Sequence, residues 1–238
     1  QMALSMALLA SAGLFTKSLF NVSRVDLGLE IDHLVTFSIS PELNGYSSEK
    51  SKAIFEKIED ELIALPGVTS VTGSLVPLLA GSNWGTDVSV QGFKSGPDVD
   101  NNSRFNEVAP DYFSTLGIPL LSGREFTRAD RLGAAKVSIV NEAFAKKFGL
   151  GRNAVGTLMK RSGNDGPMDI EIVGLVQDAK YSEVKDAIPP LFFMPYRQDE
   201  RIGAMSFYVR TAIDPEQFMR SINGIVSKVD ANLPVEEL

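Results

Sequence analysis

Gly149-Leu150-Gly151-Arg152-Asn153-Ala154 has the G-x-G-x-x-A spacing of a dinucleotide-binding turn, and Asp169 lies far enough on to take a ribose hydroxyl. That chemistry needs the glycines after a strand and before a helix, so that phosphates meet the free N–H groups of a helix start. Here they follow the helical stretch NEAFAKKF and precede the strand-like GTLMK, so they read as a helix end and a turn. Asp98, Asp100 and Asn102 have the first spacings of a calcium loop. Its sixth position would be Ser103 where a glycine is required, and its twelfth Ala109 where a bidentate Glu is required. A solvated loop is the better reading. His33 is the only histidine and there is no cysteine, which leaves no donor set for a structural zinc. No G-x-S-x-G elbow offers His33 a serine nucleophile. Glu59-Asp60-Glu61 reads as the solvated face of a helix, and Phe192-Phe193 with Tyr196 as strand core. The expectation is a protein with no catalytic residues, no cofactor and no metal, hence not an enzyme.

Composition narrows the rest. With 23 basic and 30 acidic residues the net charge is −7, so a nucleic-acid footprint is missing and a polybasic lipid-binding surface is unsupported. Absence of cysteine excludes disulfides without fixing a compartment. At 238 residues and 44% hydrophobic, the chain can bury one large core or two small ones.

Such a chain opens oddly. Gln1 to Thr16 carries no charge, and Lys17 is the first ionised side chain. As a helix that stretch would run roughly 24 Å, short of the about 30 Å hydrocarbon core of a bilayer. Three readings compete. A buried soluble helix fits the length but lacks a polar face. A signal peptide has an A-x-A site at Ala10-Ser11-Ala12 but no positive leader. The outer part of a transmembrane helix suits the small residues Ala3, Ala7, Ala10 and Gly13.

Beyond it, VTFSIS (Val35 to Ser40) alternates as a strand does. Ser47 then caps a helix whose apolar face is Ile54, Phe55, Ile58 and Leu62, ending before Pro66-Gly67. Val68 to Leu75 is the next strand, completing β-α-β. The far end repeats the pattern. Met205 to Thr211 is a strand, Asp214-Pro215-Glu216-Gln217 opens a helix with Phe218, Met219, Ile222, Ile225, Val226 and Val229 as its apolar face, and a last strand follows Pro234. The fold class expected is α+β: a porter-like subdomain of two β-α-β units in a split, ferredoxin-like arrangement, with an inserted mainly-β subdomain, preceded by part of a transmembrane helix. The boundaries expected are 1–25 for the helix and stalk, 26–108 plus 199–238 for the porter-like part, and 109–198 for the insert. Within and before the insert, strands are expected at Thr86–Gly92, around 103–109, at 136–141, in GTLMK and IEIVGLVQDA, and in LFFMPY.

The ordered series YFSTLGIPLLSGREFTRAD, VSIVNEAFAKKFG, VGTLMK, IEIVGLVQDAKY and PLFFMPYRQ, together with GLF-x-x-SL and LPGV, resembles the MacB-like periplasmic core domain of FtsX-type ABC transporter permeases, nearest to those of the acidobacterial type. The resemblance covers nearly the whole chain. It implies a first transmembrane helix leading into an extracytoplasmic domain, and ATP hydrolysis in a separate ATP-binding subunit or domain. The lack of a G-x-x-x-x-G-K-[ST] motif agrees with that division. It further implies mechanotransmission for export or periplasmic work, a homodimer or pseudo-dimer of permeases, a periplasmic adaptor as partner, anchoring in the bacterial inner membrane, and this domain in the periplasm. The alternative is a secreted, free-standing periplasmic binding module with a signal peptide. The family's motif positions fall on Gly117, Pro119, Gly123, Arg124, Glu125, Asn141, Glu142 and Gly174, with structural roles expected: turns at the glycines, a held carbonyl or carboxylate at Arg124, a helix cap at Asn141. Arg124 is also a candidate partner contact.

Overall fold

The computed structural model describes residues 11–17, 27–94, 96, 98–162, 166–182 and 187–237. Residues 11–17 are helical and exposed. The rest of the opening apolar stretch, residues 18–25 of the expected helix and stalk, and the Ala10 of the A-x-A site lie outside the described residues. Among the described residues no helix is long and apolar enough to cross a membrane.

Two β-α-β units build one sheet. The first is β1 (Leu34–Ile39), α1 (Ser48–Ile63) and β2 (Val68–Ser74). The second is β10 (Met205–Thr211), α4 (Pro215–Val229) and the short β11 (Glu236–Glu237). Their strands interleave in the order β11-β1-β10-β2, every neighbouring pair antiparallel. That is the split β-α-β arrangement expected. Local chemistry starts both helices. The Ser47 side chain accepts from Lys50 N–H, and the Asp214 side chain from Gln217 N–H, with Pro215 in the first turn. Their apolar stripes meet one face of the sheet, where Phe37, Phe55, Ile58, Leu62, Phe207, Val209, Ile222 and Val226 form a core. Phe37 and Phe207 stack at 5.2 Å across the β1–β10 pair.

The remaining strands are β3 (Trp84–Val90), β4 (Asn102–Val108), β5 (Leu120–Gly123), β6 (Lys136–Asn141), β7 (Leu158–Arg161), β8 (Ile170–Val176) and β9 (Leu191–Pro195). Six of them close on themselves: β4 pairs β3, then β7, β8, β6 and β9 follow in turn, and β9 pairs β4. Closure covers most edges, and β5 takes the stretch of β8 that β7 does not reach. Its core holds Val88, Val90, Phe105, Val140, Met159, Ile172 and Phe192, joined by Phe144 and Phe148 from α3 (Glu142–Lys147) and its cap. Hydrogen bonding therefore joins β3 and β4 to the strands of 109–198, although the sequence places them before that segment. The reason is non-local: Arg104 to Val108 pair in parallel with Leu191 to Pro195, a partner more than 80 residues away. Alternation alone carries no such register.

A third core welds sheet and ring. Tyr112, Phe113 and Leu116 of α2 (Tyr112–Leu116) pack with Ile139, Val173, Phe193 and Tyr208. β10 thus faces the helices through Phe207 and Val209, and α2 through Tyr208.

Candidate functional site

The chain arriving from the N-terminal segment is pinned as soon as it is described. Arg210, near the end of β10, donates from Nε and Nη2 to Thr115 O at 3.0 and 2.7 Å, from Nη1 to Asp32 O at 2.9 Å, and from Nη2 to Glu30 O at 2.7 Å. One guanidinium thus holds three carbonyls from two segments, a use suited to its rigid fork of donors. The backbone adds Glu30 N–H to Leu116 O and Lys180 N–H to Leu27 O, both 2.8 Å, and Thr211 N–H to His33 O at 3.0 Å. Gly28, at φ +65°, lies so close that a Cβ there would meet Asp178 O at 2.9 Å. No sequence motif marks Arg210; a cation in the last turn of an otherwise apolar strand was the one available sign.

A second cluster joins α1 to the far end of β9. Arg197 donates from Nη1 to Glu56 and from Nη2 to Glu59, each at 2.5 Å, and Tyr196 Oη donates to Glu59 at 2.9 Å. Burial pushes the Glu59 carboxyl up, opposed by the Arg197 charge. Arg128 reaches Asp60 at 2.6 Å. The expectation of a solvated acidic face holds for Asp60 and Glu61, which are exposed, and is corrected at Glu59, which is only 5% exposed. Its spacing from Phe55 and Leu62 puts it on the buried stripe, and Arg197 supplies the countercharge from 138 residues away.

The family motif positions fall into two groups. Gly117, Pro119, Gly123, Arg124, Glu125 and Gly174 surround β5 and its partner β8. Gly123 and Gly174 are paired neighbours, and a Cβ on Gly123 would meet Val173 O at 2.1 Å. Gly117 ends α2 in the left-handed region at φ +72°. Pro119 O accepts from Gln177 N–H at 3.0 Å. Arg124 grips Asp130 with both Nη atoms at 2.8 Å and the Glu125 carbonyl at 3.0 Å. Burial works to raise Asp130, yet the bonds from Arg124 and Thr127 hold it below the usual range. The Glu125 side chain accepts from Ser114 N–H at 3.0 Å, and burial pushes its carboxyl up. Asn141 and Glu142 stand apart, at the start of α3. Asn141 Oδ1 accepts from Phe144 N–H and from Leu191 N–H, both 2.9 Å, so the helix cap also fixes β9. Glu142 accepts from Asp178 N–H at 3.2 Å, and Asp178 accepts from Ala143 N–H at 2.9 Å.

A buried acid, unmarked in the sequence, sits where β4 ends. The Glu107 side chain is 3% exposed, and its Oε2 has no hydrogen-bond partner that would suit a carboxylate. Arg161 approaches Oε1 only to 3.8 Å, close enough to attract but too far to hydrogen-bond. Burial, with the Asp199 carboxylate beside it, therefore prevails and pushes Glu107 up to about 8.

The other sequence candidates are dispersed. Gly149, at φ +69°, follows α3 and leads into a single 3-10 turn at Gly151–Asn153, and Asp169 pairs with Lys136. Asp100 is held by Lys147 at 2.7 Å and caps Asn102 N–H at 3.0 Å. His33 turns the chain at φ +57° and contributes its carbonyl. Phe192 and Phe193 point into different cores.

The fold has close structural counterparts. The periplasmic region of MacB from Actinobacillus actinomycetemcomitans aligns with a TM-score of 0.57 at 15% identity, covering 91% of this chain and 94% of that one. The extracellular domain of the ABC-type transporter YknZ from Gram-positive bacteria aligns with a TM-score of 0.54 at 14% identity, covering 86% and 99%. At such identities the likeness is one of fold. A comparison with curated proteins finds no match. The MacB-like periplasmic core domain family, however, matches residues 2–225, which takes in the pinned lead-in segment, the strand ring and the split sheet except β11, and the chain belongs to that family.

Proposed function

We propose that the chain is the extracytoplasmic coupling domain of an ABC transporter permease in a bacterial inner membrane. Residues 1–25 are the outer part of its first transmembrane helix and the stalk. A separate ATP-binding subunit or domain hydrolyses ATP in the cytoplasm. This domain, itself without catalysis, turns the resulting helix motion into export or periplasmic work by mechanotransmission. It acts within a homodimer or pseudo-dimer, with a periplasmic adaptor as a further partner. The division into a porter-like part and a ring belongs to the same proposal, and the strand pairing argues for counting residues 84–108 with the ring.

The Arg210 clamp carries this reading. A tethered binding module would gain from a slack linker. A coupling element needs its incoming chain tied to the body it must move, and here residues 27–34 are tied to α2, to β10 and to the segment after β8. Family membership supports the transporter context.

The test is Arg210→Ala in the full permease with its ATPase. ATP hydrolysis is expected to persist while substrate work per ATP falls at least severalfold, with Arg210→Lys intermediate because an ammonium cannot span all three carbonyls. Unchanged work per ATP in Arg210→Ala would overturn the coupling reading.

A further inference from the structure

Beside the start of α3 lies an open cavity of about 890 Å³, within the range of small-molecule sites. Its apolar wall is formed by Leu121, Leu175, Ala143 and Ile188. Leu121, on the short strand β5, leaves 47% of its surface in water. Ser122 also lines the cavity, and its Oγ has no hydrogen-bond partner among the described residues. That Oγ is itself buried, so what the cavity offers a ligand is the water-exposed apolar surface of Leu121.

The charges around it are unequal in availability. Glu142 and Asp178 both line the cavity, but each is engaged: Glu142 accepts from Asp178 N–H, and Asp178 accepts from Ala143 N–H. The first N–H groups of α3 are likewise taken, by Asn141 and Asp178. Lys146 and Arg152 also line it, both exposed, and neither has an ion-pair partner among the described residues. They are held at fixed places, Lys146 on α3 and Arg152 in the turn that Gly149 and Gly151 allow through positive φ. Burial pushes the Asp178 carboxyl up, and Lys146 lies near enough to pull it down yet forms no ion pair with it, so both cations can turn to an anion in the cavity.

We propose that this cavity binds a small amphipathic anion, its single apolar chain against Leu121, Leu175 and Ile188 and its carboxylate or phosphate between Lys146 and Arg152. The site is independent of the coupling role and would stand if that role failed.

The test is calorimetric titration of the 238-residue chain with decanoate, decyl phosphate, decanol and decylamine, each below the concentration at which it aggregates. Saturable one-site binding is expected for the two anions, weaker binding for decanol and none for decylamine. A preference between the two anions identifies the natural headgroup. Lys146→Ala with Arg152→Ala should weaken anion binding about tenfold, since contacts from exposed charges are individually modest, and leave decanol unchanged. Ala143→Phe should obstruct the apolar wall and weaken binding of all three ligands that bind. Should Ala143→Phe fail to fold, the double variant decides alone, since both its positions are exposed. Anion binding that is non-saturable, equal to that of decylamine, or indifferent to the double variant would overturn the proposal.

Discussion

Glu107 and Arg197 are the two side chains whose removal speaks most directly to how this domain is held together. In the folded chain Glu107 keeps its proton up to about pH 8, whereas the unfolded chain releases it near the ordinary value of 4.5. Between those limits the native state binds the extra proton. Stability therefore falls as pH rises through that window, by up to about 1.4 kcal/mol per pH unit, and levels off above it. Glu107→Gln should remove that slope and make the protein more stable at pH 8 than the parent, as read from urea midpoints across the window. An unaltered slope would assign it to another group. Arg197→Ala is different in kind, because it strands Glu59 in the interior. A loss of about 3–5 kcal/mol is expected, and adding Glu59→Gln should restore part of it, since the cost lies in the unpaired charge. Urea unfolding of the single and double variants measures both.

At the scale of elements, α4 and β5 are opposite cases. The start of α4 is written locally: Asp214 accepts from Gln217 N–H at 3.0 Å and Pro215 sets the first turn. Asp214→Ala should cost about 1 kcal/mol, visible as a lowered thermal midpoint with the fold intact. β5 has no such local signature. Leu120–Gly123 is four residues, two of them exposed leucines, and it is a strand only because β8 offers it an edge. What makes that pairing fit is the absence of two side chains, on Gly123 and Gly174. Gly123→Ala would drive a Cβ into Val173 O and strain a backbone at φ +82°. It should detach β5, and hydrogen exchange is expected to show residues 120–123 unprotected while β1 and β10 stay protected. Most other strands declared themselves to within two residues, although β8 ends at Val176, three short of the expected stretch. Met205–Thr211 and Lys136–Asn141 stand where alternation places them, and α2 ends at Gly117 as the glycine dictates. Glu59 misled because a run of three acids looks solvated, and its place on the apolar stripe matters only once Arg197 is known to reach it.

For the molecule as a whole, the question is whether motion entering at residue 27 reaches both parts. Arg210 binds Thr115, Asp32 and Glu30, and Arg197 and Arg128 tie α1 to the segments after β9 and β5. The third core, from Tyr112 to Tyr208, fills the space between sheet and ring. Such a body should move as one lever. Arg210→Ala in the isolated chain should speed hydrogen exchange at residues 28–34 and leave the cores of sheet and ring untouched, placing the loss at the attachment and not in the lever itself. Loss of protection throughout would instead make Arg210 a general stabiliser.

The amino-acid sequence by itself determined what depends on neighbours along the chain: helix caps at Ser47, Asn141 and Asp214, the repeated β-α-β pattern, the glycine turns, the acidic balance, and an ordered set of motifs that belongs to one family. The sequence also dismissed three site readings: the dinucleotide one by the order of helix and strand around its glycines, the calcium one by its sixth and twelfth positions, and the zinc one by the lack of donors. Tertiary structure decided what depends on pairs far apart. The ring closes only when β4 finds β9, Glu59 becomes interior only under Arg197, Glu107 holds its proton only where burial and Asp199 meet it, and Arg210 becomes a clamp only where β10, α2 and the lead-in segment converge. Hydrophobic period fixes which face of an element is buried. It leaves open against what, and charge placement follows that second choice.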